Sequence, residues 1–492
     1  MSNEIFSESL AYNNIKRRAV SSRSYRVRLP PSNATSFVPG NVIQFDLPAN
    51  LAGTYFNSNQ CYLKFNLKNT SKINAGGADG SASFRLDRPG AYSLIRRLQI
   101  STAGAQLQDT DRYNVLACAM LDTDASFEWK ASVGKTLCGI QNTGSGEWVG
   151  GTSIVDPGNF YNPIPQPDGR DYCLPLILNV LSQSTPHRFF PLFSLSPIQL
   201  RFTLEDAVNA FKEAAGIPNY ALSDVELVMM LTELSPSAQA SVDAMTGGRY
   251  DILATSWSNS TATKGAGAAS LTANLGISVS SLERVIIIHR LQTVANGAIT
   301  TLTLGGRDTA GITEYSLLIN SEQYPARPIR ADALFGAEPM AELLQADHSL
   351  ANFQKGNGLN NAFLASNAAV SAGNTMFFSN NPSSALYNVG YMNRATGQNT
   401  IGTLDDAGAL TASNIGYFVA SIELESGISD GKSSHIYSGI STLASTVQFL
   451  GKYNVAAAPN GAPDAYTIDF FSNFTVLISL NMRGTGVYSV SV

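Results

Sequence analysis

Few residues of this sequence have the type and spacing that catalysis or ligand binding requires. The tripeptide GKT at Gly134–Thr136 resembles the end of a phosphate-binding loop, but Trp129 stands where that loop needs its first glycine. The segment GAGAAS at Gly265–Ser270 lacks the third glycine of a dinucleotide-binding fingerprint. The histidines form no HExxH pair for zinc and are scattered along the chain, at His187, His289, His348 and His435.

Two pairs of carboxylates could in principle act as an acid/base pair or hold an ion. Glu423 and Glu425 alternate with apolar residues and would share one strand face, but a solvated outer face explains the same alternation. Asp122 and Asp124 resemble the start of a calcium loop, yet Phe127 occupies the position of its turn glycine. We therefore expect no catalytic residue, no cofactor and no metal site, although carboxylates at a subunit seam could still hold an ion.

The chain that would have to position such residues is weakly charged and rich in apolar residues. Of the 492 residues, 44% are hydrophobic and only 14% are charged, against roughly 25% in ordinary soluble domains. A surface with so little charge predicts that large areas are covered by neighbouring molecules, and a secreted, lectin-like β protein is the alternative. The formal net charge of −5 excludes a general polyanion-binding protein, so any nucleic-acid contact must be local.

We expect neither a secretory signal peptide nor a membrane span in this sequence. The first 20 residues contain acids and amides where a secretory signal needs an apolar run, and no apolar stretch is long enough to span a membrane. The cysteines have no CxxC spacing and predict structural thiols rather than a disulfide framework or a zinc site; they are Cys61, Cys118, Cys138 and Cys173. We expect synthesis as a soluble intracellular protein.

Two parts of the chain read as rough copies of each other. YSLIRRLQI at Tyr92–Ile100 runs into DRYNVLACAMLD, and about 223 residues later YSLLINSEQY at Tyr315–Tyr324 runs into DALFGAEPMAELL. SPIQLRFTLED at Ser196–Asp206 has its counterpart about 248 residues on, in STVQFLGKYN at Ser445–Asn454. Each copy of the first pair is a strand-like segment followed by a short helical one, so the sequence predicts two β-rich units in tandem.

Alternating apolar and polar residues predict eight or so short antiparallel strands in each unit, as in a jelly roll or a similar sandwich. We place the first unit at residues 29–236 and the second at 250–492, joined by a linker at 237–249 where the alternation stops. Each unit contains one long segment rich in Gly, Pro and Asn, at Gly139–Asp171 and at Asn352–Asn414. We expect both excursions to be surface loops.

Several blocks together resemble the double jelly-roll major capsid proteins of virophages and polinton-like viruses, a lineage that includes adenovirus hexon and capsid proteins of some tailless phages. They are RVRLPPSNATSFVPGNVIQFDLPANL, YSLIRRLQISTAGAQLQDTDRYNVL, FFPLFSLSPIQLRFTLEDA and YSGISTLASTVQFL, and the resemblance runs from about Arg26 to the last strand. It implies two eight-stranded jelly rolls side by side with a few short helices, and a homotrimeric, pseudo-hexagonal capsomer that tiles the icosahedral shell of a double-stranded DNA virus. Penton and minor or cement capsid proteins would be its other partners, and the virion its location.

The N-terminal 28 residues form the one concentrated charge in the chain. We predict a flexible basic arm before the first strand, with its cations at Lys16, Arg17, Arg18, Arg23, Arg26 and Arg28. Beneath a shell, the arm would contact neighbouring capsomers or inner components, with weak contact to an inner membrane or the genome as a further possibility. An arm that is solvated, or one that is paired within its own chain, is the simpler interpretation.

Two other functional classes stay open at this stage. A spike, penton or glycan-binding module would share the composition but should lack two copies of one unit. A carbohydrate-active enzyme would need paired acids beside stacking aromatics, yet the three tryptophans lie in separate segments, at Trp129, Trp148 and Trp257. The tandem repeat favours the capsid protein.

Overall fold

The computed structural model describes most of the two predicted units. The described residues are 22–48, 53–81, 85–102, 105–126, 129–140, 169–181, 189–192, 197–212, 216–292, 304–307, 309–331, 337–346, 391–393, 398–400, 418–424, 439–455, 464–481 and 488–491. Most of the two excursions and the first 21 residues lie outside these ranges. Within the ranges, no helix has the length and apolar content needed to cross a bilayer.

The first unit is built from eight principal strands. They are β1 Ser22–Leu29, β2 Val42–Asp46, β3 Thr54–Asn69, β4 Ile95–Thr102, β5 Ala105–Thr110, β6 Arg170–Pro175, β7 Gln199–Leu204 and β8 Tyr220–Leu234. They form two antiparallel sheets with the orders β1-β8-β3-β6 and β2-β7-β4-β5. Short strands extend this unit: Phe190–Pro191 pairs with β3, and Arg85–Leu86 pairs with Phe211–Lys212.

The second unit repeats this arrangement strand for strand. Its strands are β9 Arg249–Lys264, β10 Ser270–Asn274, β11 Leu282–Leu291, β12 Ile312–Ile319, β13 Glu322–Arg330, β14 Ala420–Glu423, β15 Val447–Tyr453 and β16 Tyr466–Asn481. The sheet orders are β9-β16-β11-β14 and β10-β15-β12-β13. Tyr488–Ser491 adds to β16, and Tyr391–Asn393 pairs with Gln398–Thr400.

In each unit, one sheet contains the first, eighth, third and sixth strands and the other contains the second, seventh, fourth and fifth. This is the jelly-roll order, so the predicted fold of two tandem eight-stranded jelly rolls is confirmed. The alternation that predicted the strands also fills the cores. On β2, for example, Ile43 and Phe45 are fully buried between outward polar residues, and Phe45 meets Phe202 of β7 edge to face.

In the part of the chain that the structure describes, three helices have ten or more residues: α1 Tyr113–Asp124, α2 Pro236–Thr246 and α3 Ala337–Ala346. Helical single turns occur at Gly90–Leu94, Lys130–Gly134, Lys135–Cys138 and Ala207–Ala210. The segment predicted as a linker is therefore mostly helix α2. Ser235 caps it by accepting a hydrogen bond from the N–H of Ala238, Pro236 opens it, and Gly247 ends it in the left-handed conformation. Every sheet uses only strands before α2 or only strands after it.

The repeat seen in the sequence corresponds to equivalent strands of the two rolls, but the register of the first pair of segments needs correction. β7 and β15 occupy the same place in their sheets, as the second pair of segments predicts, and a helix follows the β4–β5 and β12–β13 hairpins alike. The YSL match of the first pair is out of register, however. Ile100 pairs with Leu200 as Leu317 pairs with Phe449, so equivalent residues are about 217 apart rather than 223. Tyr92 lies in a helical turn, whereas Tyr315 lies on a strand.

Two strands run through polar stretches of the sequence. β3 begins at Thr54 and includes the polar residues 57–60, because a long strand can contain polar residues where its neighbour supplies backbone partners. The apolar runs YTIDFF and FTVLISL both belong to the single strand β16. Polar Ser472 and Asn473 interrupt the apolar pattern there without interrupting the ladder.

Candidate assembly surfaces and the seam between the rolls

The predicted N-terminal arm is shorter than the sequence suggested. Arg23, Arg26 and Arg28 lie on β1, whose backbone pairs with β8 from Ser22 to Leu29, so they do not precede the first strand. The prediction failed because these arginines alternate with Ser, Tyr and Val, a period-two pattern that a strand accommodates as readily as a flexible segment. Lys16, Arg17 and Arg18 lie outside the described residues, and only residues 1–21 of the predicted arm precede β1.

The arginines of β1 lie on the outer edge of the first roll. Arg26 and Arg28 are exposed, while the alternate residues Val27 and Leu29 are half-buried against the core. Arg28 makes an ion pair of 3.3 Å with Glu226 of β8, and the guanidinium of Arg23 lies 5.2 Å from the ring centre of Tyr25. Exposed pairs of this kind contribute little to stability. β1 is therefore an accessible, positively charged edge strand.

Strand directions give each roll two ends. β1 begins opposite Leu234, where β8 ends and α2 follows; we call this the linker end. β5 ends opposite Leu98, in the first half of β4, and the long excursion begins after α1 and the helical turns that follow β5; we call this the excursion end. β8 begins at the excursion end, where the hydroxyl of Tyr220 donates a hydrogen bond to the carbonyl oxygen of Glu205 just after β7. The N-terminal segment and the excursion therefore leave the first roll from opposite ends.

At the excursion end, a buried carboxylate joins the two rolls. Asp122 of α1 lies 2.7 Å from Arg88, 2.9 Å from Lys130 and 2.5 Å from Arg307, and all four side chains are at most 6% exposed. Arg307 belongs to the second roll and the other three to the first. Burial raises the pKa of Asp122, but the three cations outweigh burial and hold that pKa well below its usual range.

The loops that precede β4 and β12 meet beside this cluster. The carboxylate of Asp87 accepts hydrogen bonds from the backbone N–H groups of Leu304 (3.0 Å) and Gly305 (3.1 Å). Arg88 returns a hydrogen bond of 3.0 Å to the carbonyl oxygen of Gly305. A Cβ at Gly305 would overlap the side chain of Arg88, so only glycine allows the two loops to approach this closely.

A second buried carboxylate, this one in the second roll, also binds an arginine of the other roll. Asp469 of β16 is fully buried and lies 2.7 Å from Arg290 of its own roll. Arg112, at the start of α1, reaches it across the seam at 3.0 Å. Each roll thus supplies a buried carboxylate that binds an arginine of the other.

Contacts continue along the seam and reach the linker end. Halfway, Thr110 of β5 donates a hydrogen bond of 2.8 Å to the carbonyl oxygen of Trp257, and Ser256 donates one of 3.2 Å to the carbonyl oxygen of Leu107. At the linker end, α2 bridges the rolls through Gln239, which accepts a hydrogen bond from Tyr55 of β3 and donates one to Tyr250 of β9. The rolls are therefore fastened side by side at three levels.

The segments considered for catalysis have structural roles where the structure describes them. GKT lies in consecutive helical turns, and Gly134 packs against the ring of Trp129 instead of opening a phosphate cradle. GAGAAS forms the turn between β9 and β10. The letters of a GxSxG elbow also occur in GISDG at Gly427–Gly431, which lies outside the described residues.

His289 is the one histidine within the described ranges, and it is fully buried. Its Nε2 lies 3.1 Å from the hydroxyl of Tyr453, while its Nδ1 has no hydrogen-bond partner. Burial, with a smaller contribution from the charge of Lys264, lowers its pKa from 6.5 to about 3. A neutral imidazole in this position is a core residue. Among the described residues, no cluster of three or more His, Cys, Asp or Glu side chains could hold a metal ion.

Sequence reasoning missed the seam. Asp122 was weighed only as a calcium ligand, and its partner Arg307 lies 185 residues away. The available signal was the charge of Asp122 at the end of the apolar run LACAML, because a charge there must be paired if the helix is buried. The identity of the partner could not be read from the sequence.

Comparison with known proteins supports the fold. No family model matches the sequence, and no curated protein matches it. Among solved structures, the chain is similar to one in the Sputnik virophage (TM-score 0.59, 10% identity, covering 100% of this chain and 93% of that one). It is also similar to the PBCV-1 virus capsid (0.58, 9%, 98% and 99%) and to the Faustovirus major capsid protein (0.53, 8%, 96% and 92%). At these identities the likeness shows the fold, and it extends over both rolls.

Proposed function

We propose that the chain is the major capsid protein of a double-stranded DNA virus, that three copies form a pseudo-hexagonal capsomer, and that capsomers tile an icosahedral shell. The protein acts by assembly and is not an enzyme. The observation that carries the proposal is the repetition of one jelly roll, in one strand order, fastened side by side along its height. Similarity to viral capsid structures over nearly the whole of both chains supports it.

The physical logic of such a capsomer follows from the duplication. Three chains contribute six rolls of one shape, and six similar rolls around a threefold axis present six similar sides to their neighbours. The contacts between the two rolls of a chain support this arrangement. They hold the rolls in one position relative to each other, and the shape of the capsomer depends on that position. The weakly charged composition suits a surface that is mostly covered by other copies.

The two ends of the rolls suggest an orientation in the shell. The excursions at Gly139–Asp171 and Asn352–Asn414 follow β5 and β13, at the end opposite to the N-terminal segment. We assign the excursion end to the outside of the shell and the linker end to the inside. Residues 1–21 would then contact neighbouring capsomers or inner components, with weak contact to a membrane or the genome. Penton and minor or cement proteins would complete the shell.

Electron microscopy and light scattering on the same purified sample test the proposal. A capsomer predicts a threefold particle with a hexagonal outline and a mass of about 157 kDa, three times the 52.3 kDa of one chain. A monodisperse monomer would contradict the proposal and direct attention to glycan binding. The measurement requires no knowledge of the virus or of its minor proteins.

A further inference from the structure

The second strand of each roll, β2 in the first and β10 in the second, borders its sheet on one side. Each lies at the edge of the sheet that contains the second, seventh, fourth and fifth strands. The connections that lead to them differ in length, because residues 30–41 join β1 to β2, whereas residues 265–269 join β9 to β10. This difference decides what happens at the free edge of each strand.

In the first roll, the longer connection folds back along the free edge of β2. The side-chain amide of Asn33 donates a hydrogen bond of 2.6 Å to the carbonyl oxygen of Val42 and accepts one of 3.1 Å from the N–H of Gln44. The N–H of Ser32 donates one of 2.8 Å to the carbonyl oxygen of Gln44. These are backbone groups that β2 directs away from its neighbour β7, so the edge of β2 is closed.

In the second roll, the free edge of β10 is open. Leu275, just after the strand, donates its N–H to the carbonyl oxygen of Val447 at the start of β15. Bonding alternates along an antiparallel pair, so the even-numbered residues Ser270, Thr272 and Asn274 direct their backbone N–H and C=O groups to the free edge. All three residues are exposed, and no residue that the structure describes bonds to these outward groups.

The register shows that Thr272 is the counterpart of Gln44. Gln44 faces Arg201 of β7, and Thr272 faces Leu450 of β15. Arg201 and Leu450 are equivalent, because each lies one residue after the matched β7 and β15 residues described with the fold. Thr272 therefore presents to solvent the two backbone groups that are bonded at Gln44.

An open edge of this kind can accept another strand. Sheets usually protect their exposed edges with charged residues, proline or a covering segment. The sequence of β10, SLTAN, contains neither a charge nor a proline, whereas the edge strand β1 carries three arginines. β10 is therefore able to bind an extended segment through main-chain hydrogen bonds.

We propose that β10 pairs antiparallel with β10 of a second copy in a neighbouring capsomer, about a twofold axis at Thr272. Thr272 then faces its own counterpart and Ser270 faces Asn274, so that the outward N–H and C=O groups of all three residues are paired. The composition favours a second copy as the partner, because a strand without charges meets itself without repulsion. A twofold contact of this kind joins identical surfaces.

The inference rests on the proposed function and extends it, because it names where one capsomer meets the next. Each chain contributes one closed edge at β2 and one open edge at β10, so the two kinds of edge would alternate around a capsomer. The contact thereby distinguishes the two rolls of a chain, although their folds are equivalent. A single short strand pair is weak, but many such contacts act together in a shell.

Opposite charges placed at Thr272 test the pairing. Thr272→Lys and Thr272→Glu each place like charges opposite each other at the twofold axis, whereas an equal mixture of the two proteins places Lys opposite Glu. Gln44→Lys is the matched control, because it adds the same charge at the equivalent position of the closed edge. The measurement is the average mass of the particles over a range of protein concentrations, by analytical ultracentrifugation.

We expect the average mass of the unsubstituted protein to rise above that of one capsomer as concentration increases, and Gln44→Lys to behave in the same way. Association should weaken by about tenfold in each variant of Thr272 and return in the mixture. The pairing is overturned, and the capsomer left standing, by unchanged association of Thr272→Lys, by a mixture that associates no better than its components, or by unsubstituted capsomers that stay single. An unsubstituted protein that stays monomeric overturns the proposed function as well.

Discussion

Asp122 of the first roll accepts a hydrogen bond of 2.5 Å from Nη2 of Arg307 in the second roll, and both side chains are buried. The same carboxylate binds Arg88 and Lys130, so one negative charge holds three cations. Since the pKa of Asp122 is depressed in the folded chain, its contribution to stability is complete above the ordinary value of about 3.9. It is lost as the pH falls through the folded-state value.

Replacing Asp122 by Asn should weaken the seam strongly. The amide leaves the buried cations without their counter-charge, and breaking a buried pair from one side costs about 3–5 kcal/mol. The free energy of unfolding, measured by urea denaturation, should fall by that amount. Asp79→Asn is the matched control, because Asp79 is 68% exposed in its pair with Lys72 and should cost less than about 1 kcal/mol. Equal effects of the two variants would show that the cluster does not hold the rolls together.

Adding a side chain at Gly305 should separate the two loops at the excursion end. The Cβ of an alanine would come within 2.8 Å of Cδ of Arg88, and overpacking of this kind costs about 1–3 kcal/mol. Gly265→Ala provides the control, because nothing lies within 4 Å of the added Cβ at that turn. We expect a lower unfolding midpoint in thermal denaturation for Gly305→Ala alone. An unchanged midpoint would mean that the loops move apart without loss of stability.

His289 should make the second roll sensitive to acid. Its folded-state pKa of about 3 lies below the ordinary 6.5, so below pH 6.5 the unfolded chain takes up the proton first. The free energy of unfolding should therefore fall by about 1.4 kcal/mol per pH unit below 6.5, until the folded protein is also protonated near pH 3. Between pH 6.5 and 4.5 this amounts to about 2–3 kcal/mol.

The variant His289→Gln removes the titrating group and keeps a polar side chain. Its free energy of unfolding should change less over the same interval, as measured by urea denaturation at each pH. The interval ends above the usual pKa of aspartate, so Asp122 does not interfere. Parallel pH dependences of the two proteins would exclude His289 as the cause.

Deleting residues 1–21 should separate capsomer formation from shell assembly. The deletion removes Lys16, Arg17 and Arg18 and leaves β1 in place, so the trimeric mass should be retained while closed particles in electron micrographs become rare. Deleting residues 1–28 would instead remove β1, uncover an edge of β8 and destabilise the first roll. Normal particle yield from the shorter deletion would show that the arm has no part in assembly.

The sequence allowed the fold class and the strand equivalences to be predicted, because period-two alternation is local. β2 shows how directly this works, since Ile43 and Phe45 alternate with polar residues and point into the core. The capping residues of α2 were equally visible, with Ser235, Pro236 and Gly247 at their expected positions. We read that segment as linker because its residues are small and polar, and the helix indeed buries none of them.

The contacts between the rolls could not be predicted for a physical reason. Pairing Asp122 with Arg307, or Asp469 with Arg112, depends on which loops meet when two finished rolls pack together. No periodicity within either segment encodes the partner. The arginines of β1 illustrate a second limit of the sequence. A run of cations suggests a flexible arm, and only the backbone pairing with β8 shows that these arginines lie on a strand.

During synthesis, β9 is made long before β16, the strand with which it pairs. β9 pairs with β16 along its whole length, from Arg249 opposite Asn481 to Lys264 opposite Tyr466. About 200 residues separate the two strands, which at ribosomal speeds of about 5–20 residues per second corresponds to roughly 10–40 s. During that interval the first roll can already be complete, and its strand β5 is the surface on which β9 packs. The first roll can thus cover part of β9 before β16 has been synthesised.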